Sequence, residues 1–138
     1  MKPFKRLTNL KFYPIPVQKD RFAPQKFTMA FTDNDWVEAK LKFEAIFGGG
    51  IEMDGLLFLI GIQELGQGFR EFEKDEKMNL MHIAVCRLLQ PYGHYAFSHK
   101  DDDGWPHYTK SSLSTGLSQK DQENLLKEAV INYSETQL

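Results

Sequence analysis

The chain has 138 residues, 41% of them hydrophobic and 26% charged, which is enough for one domain with one core. The single cysteine, Cys86, excludes an internal disulfide framework and suits a reducing compartment, and the longest apolar run, Leu56 to Ile62, is far short of the roughly 20 residues of a membrane span. The net charge of −2 hides an asymmetry: residues 1–32 carry seven basic residues against one acidic, a balance of +6, and the rest carries ten against eighteen, a balance of −8.

The opening stretch, MKPFKRLTNLKFYPIPV, is broken by lysines and prolines and has no signal-peptide core, so a soluble cytoplasmic protein without a membrane segment is expected. Residues 1–27 read as an extended basic arm, because the prolines of FYPIPV fix φ and remove backbone donors. Its apolar residues, Phe12 and Tyr13 among them, predict that it docks on the body. KFTMAF, residues 26–31, reads as a short strand or the lead-in to a helix.

A first helix is predicted from Thr32 or Asp33, with acids in its first turn, to the glycines 48–50. Trp36, Ala39, Leu41, Phe43, Ile46 and Phe47 form its apolar stripe. The second helix, about Met53 to Leu65, is apolar nearly all round and belongs at the centre of the fold. Gly61 costs such a helix about 1 kcal/mol relative to Ala, so another backbone is expected to approach it closely. A third helix runs from the region of Asp75 and Glu76 to Gln90, where Pro91 and Gly93 stop it. Period-two alternation around an acidic turn predicts a β-hairpin from about His94 to Lys110. A fourth helix opens at Ser118, with Asp121 in capping position, and buries Leu125, Leu126, Ala129, Val130 and Tyr133. The expected fold is α+β and mainly α, with about four helices around a central apolar helix, one hairpin and the N-terminal arm, as a single domain over 1–138.

Seven of the ten glycines lie between Gly48 and Gly68. A phosphate loop would need open amides with a Lys and a hydroxyl at fixed spacing, but Glu52 and Asp54 follow the triplet, so capping and packing are preferred. No cofactor motif is complete.

Glu64 falls on an apolar face, where a carboxylate must be paired or hold its proton. It is a catalytic candidate, and an ion pair with Arg87 or Arg70 is the preferred reading. His82 and Cys86, four apart on the third helix, are the other catalytic candidates, with core packing preferred because HIAVCRLL reads as buried. His94, His99 and His107 are the metal candidates, but strand parity sets His94 and His99 on opposite faces, and a polar turn is preferred. Trp105 and Tyr108 on the hairpin, with Phe12 and Tyr13 on the arm, are the candidate partner-binding residues.

The preferred function is a non-catalytic interaction or structural module that self-associates or takes a protein partner. The rivals are a small metal-binding or enzymatic domain, and nucleic-acid binding through Lys5, Arg6, Lys11 and Arg21.

Overall fold

The computed structural model describes residues 26–111 and 117–138. Within them four helices and one hairpin follow in the order α1 (Asp33–Phe47), α2 (Met53–Leu65), α3 (Lys74–Leu89), β1 (Tyr95–Lys100), β2 (Pro106–Lys110) and α4 (Gln119–Gln137). The mainly helical α+β class and the element boundaries are those the sequence predicts. Residues 1–25 of the arm lie outside the described residues, and so does the docking expected of Phe12 and Tyr13. None of the described helices is long and apolar enough to cross a membrane.

Side-chain chemistry at the ends explains the boundaries. Thr32 caps α1 by accepting the Asp35 N–H at 3.1 Å, while the Asp35 carboxylate accepts the Thr32 N–H at 2.8 Å. Such a reciprocal pair contributes about 1 kcal/mol. At the far end Gly48 has φ 106° with ψ 161°, an extended kink rather than a left-handed cap. The Gly48 N–H still closes the last turn on the Glu44 carbonyl at 2.9 Å, and the Glu44 side chain ties down the loop that follows, its Oε2 accepting the N–H groups of Gly50 and Ile51 at 3.2 Å each. The glycine triplet therefore has no open cradle for a phosphate at those two amides. Helix α2 does end in a left-handed glycine, Gly66, whose N–H reaches the Ile62 carbonyl at 3.1 Å. Ser118 caps α4 by accepting the Asp121 N–H at 3.1 Å.

The most buried element is α2, with eight residues from Leu56 to Leu65 inside. It packs most extensively on α3, which in turn meets α4 and both strands, while α1 lies on α4. Gly61 makes the α2–α3 approach possible, since a Cβ there would sit 2.7 Å from the carbonyl carbon of Leu80 and 2.9 Å from its Cβ. The main core gathers Phe43 of α1, Leu56 and Ile60 of α2, Ala84 and Leu88 of α3, and Leu125 and Val130 of α4. A second cluster of Ile62, Leu65, Phe72 and Leu80 lies at the other end of α2. Burying each such aliphatic side chain stabilises the fold by about 1.5–3 kcal/mol.

One local expectation changes, and a second is decided between its two forms. Leu41 is 55% exposed instead of lying in the α1 stripe. Residues 36, 39, 43 and 47 follow one helical line, and Leu41 stands off it by more than a third of a turn. Of the two readings of residues 26–31, the lead-in to α1 holds and no strand forms; their polar groups turn to α4, where Glu128 Oε1 accepts the Met29 N–H at 2.9 Å and the Thr28 hydroxyl at 3.3 Å.

Candidate functional site

Glu64, the residue singled out on α2, is buried and fully engaged. Arg87 of α3 lies with Nε 3.5 Å from Glu64 Oε1, and Tyr133 of α4 donates its hydroxyl to Glu64 Oε2 at 2.8 Å. Of the two expected partners the structure selects Arg87, because Arg70 turns to Glu76 at 3.2 Å. The Arg87 guanidinium also lies 5.5 Å from the centre of the Tyr133 ring, within cation–π range. Burial, with Glu64 beside it, pushes the Tyr133 hydroxyl well above its ordinary value, so it stays a donor. Burial does the same to Tyr108 of the hairpin, with Glu64 as the second cause.

Gln63 completes this cluster. Tyr133 also lies 3.2 Å from Gln63 Oε1, but its one proton serves the shorter bond to Glu64. Gln63 Nε2 is buried without a partner among the described residues. Turning that amide over would point its NH2 at the Tyr133 oxygen and complete a relay from Gln63 through Tyr133 to Glu64. Chemically the arrangement holds three helices together. A carboxylate committed to a cation and a phenol is poorly placed to take a proton from a substrate.

His82 and Cys86 meet, with Nε2 and Sγ 3.5 Å apart, but His82 is exposed and Cys86 is buried. Burial pushes the Cys86 thiol up to about 11, the opposite of the low value a thiolate nucleophile needs. Tyr95 meets the His82 ring edge-on at 6.2 Å.

On the hairpin, Asp101 organises the turn. Its Oδ1 accepts the N–H groups of Asp103 at 3.0 Å and Trp105 at 2.9 Å, and Oδ2 lies 2.9 Å from His107 Nε2. The hydrogen bond from His107, then that from Trp105, holds the Asp101 carboxyl below its ordinary value. Gln67, in the loop after α2, donates to the Asp103 carbonyl at 2.8 Å and ties the turn to the helices. Trp105 is half-buried against the second core cluster, and Tyr108 meets Phe97 edge-on at 5.8 Å. Of the three hairpin histidines, His99 and His107 come together while His94 precedes β1 and is half-buried. No group of three or more His, Cys, Asp or Glu side chains gathers as a metal-binding set among the described residues. Phe12, Tyr13, Lys5, Arg6, Lys11 and Arg21 lie outside those residues.

Sequence reasoning missed Glu128 of α4. It is buried, and besides Met29 and Thr28 it accepts the Tyr92 hydroxyl at 2.8 Å, which in turn accepts from Asn132 at 2.8 Å. Its position between Leu125 and Ala129, on the apolar face of its helix, was the available signal.

The class these features define is a mainly helical α+β domain with a hairpin pinned to its helices. No protein-family model, curated protein or solved structure matches the chain.

Proposed function

We propose that this chain is a non-catalytic interaction module that self-associates through the outer face of α1. The observation that carries this reading is the pair Val37 and Leu41, 49% and 55% exposed, one helical turn apart with exposed Ala45 a turn further on. The opposite side of α1 already buries Ala39 and Phe43. An apolar stripe on the water side of a helix that is already packed fits a surface covered in an assembly. The engaged Glu64 and the high-lying Cys86 thiol favour binding over catalysis. The free thiol of Cys86 also favours a reducing compartment such as the cytoplasm. Trp105 and Tyr108 are second candidates for the interface, through the edges that the core leaves uncovered.

Light scattering on a sizing column tests the reading with the full chain and the variant Val37→Glu/Leu41→Glu. The expected result is a multiple of the chain mass that falls to one chain in the variant. A full chain that stays monomeric at high micromolar concentration removes self-association. A multimer unaffected by the variant moves the interface away from α1.

A further inference from the structure

Strand alternation alone would not bring two imidazoles of the hairpin together. Phe97 pairs with Tyr108, so in an unbroken ladder Ser98 would face His107. Instead the register shifts between Phe97 and His99, and His99 stands opposite His107. An extra residue of this kind re-aims the side chains that follow it and recurs beside functional sites. The two rings stack with centroids 4.9 Å apart and planes within 6°, both on the exposed side of the hairpin.

Each ring is then oriented through one nitrogen. His107 Nε2 lies 2.9 Å from Asp101 Oδ2, and His99 Nδ1 lies 2.9 Å from Ser98 Oγ. That leaves His107 Nδ1 and His99 Nε2 without a hydrogen-bond partner among the described residues. Histidines that ligate metals show this division, one nitrogen held by a carboxylate or other polar group and the other presenting its lone pair. Asp101 is itself fixed by the Trp105 and Asp103 amides, so the acceptor that His107 Nε2 meets is anchored in the turn while the ring can still rotate.

We propose that His99 and His107 form a two-imidazole chelate for a divalent transition metal of the zinc, nickel or copper class, with Asp101 as its positioning carboxylate. Imidazole nitrogen suits these ions over magnesium or calcium, which take oxygen. Two ligands are fewer than the four of a closed structural site, so the remaining positions go to water or to a donor from outside the hairpin. Metal–nitrogen distances of about 2.0–2.1 Å require converging lone pairs, whereas those of parallel rings run side by side. Binding therefore turns both rings out of the stack. There is room for this, since the His107 side chain is 51% exposed. His94 takes no part.

The test is titration of Zn2+ into the untagged full chain, followed by calorimetry and by imidazole 15N NMR. One saturable site per chain is expected, with the His99 and His107 resonances moving together and those of His82 and His94 unmoved. His99→Ala and His107→Ala should each weaken binding at least tenfold, and amide spectra check that the hairpin survives. Asp101→Asn keeps an acceptor for the turn amides, yet should shift the His107 tautomer equilibrium and weaken binding about tenfold. Absence of saturable binding, or binding that persists in His99→Ala/His107→Ala, overturns the proposal. An unchanged tautomer and affinity in Asp101→Asn overturns the role given to Asp101.

Discussion

The two buried carboxylates, Glu64 and Glu128, are equally hidden at 6% exposure and are held in different ways. Glu64 faces a guanidinium and a phenol supplied by two other helices. Glu128 forms no ion pair among the described residues and is surrounded by neutral donors: a backbone N–H, a threonine hydroxyl and a tyrosine hydroxyl. The first joins helix to helix with charge against charge. The second uses its lone pairs to hold a length of irregular chain, residues 28–29, against α4. A buried anion can thus be compensated by one strong cation or by several dipoles, and the choice follows from what it has to hold.

Removing the cation is the hardest way to break the comparison. Arg87→Ala leaves the buried Glu64 carboxylate without its guanidinium, and a loss of about 3 kcal/mol is expected in urea unfolding. Restoring neutrality sharpens the point: Arg87→Met with Glu64→Gln should recover most of that loss, because no charge then remains to be solvated. A double variant as unstable as Arg87→Ala would mean that shape, not charge, sets the cost.

Glu128→Gln should cost less, about 1–2 kcal/mol, since the amide keeps one acceptor oxygen and no cation is left stranded. Its signature is local. Hydrogen exchange at the Met29 amide should speed up far more than at amides of α2. Equal acceleration at both would show that the segment and the core open together.

The smallest effect concerns Met29 itself. It is the only non-glycine residue with positive φ among those described, at 55°. A left-handed conformation costs a side-chain-bearing residue about 1–2 kcal/mol, which the bonds to Glu128 offset. Met29→Gly should therefore leave stability unchanged or raise it by up to about 1 kcal/mol, with the gain limited by the entropy of a freer unfolded chain. A clear loss of melting temperature would show that the exposed methionine side chain has packing that outweighs the strain.

How much of this was legible follows from sequence separation. Caps at Thr32 and Ser118 and the stop at Pro91 are decided within a few residues, and each was readable; the left-handed glycine was expected after α1 and is found after α2, at Gly66. Gly61 was readable too, because a glycine kept in an apolar helix implies a neighbour too close for a Cβ. The ion pair was half legible: a carboxylate on an apolar face demands a cation, but the choice of Arg87 over Arg70 depends on how α2 and α3 cross. The clasp on Met29 joins residues 99 apart, and no local pattern announces it. Leu41 was misassigned because apolar spacing fits two faces of one helix, and only packing decides between them. The pairing of His99 with His107 depends on a register shift at Ser98 that alternation by itself does not encode.

The placement of the two tryptophans has a practical consequence. Trp105 sits where the hairpin tip meets the second core cluster, and Trp36 lies in α1 with the Lys127 ammonium 5.6 Å from its ring centre. The chain thus carries two intrinsic fluorophores, each half-buried against a different core cluster, and one of them, Trp36, also beside a positive charge. Replacing either with phenylalanine isolates the emission of the other. Loosening of the hairpin from the helices would then be read as a red shift from Trp105 alone, and events on α1 as a change in the yield of Trp36, without any attached dye.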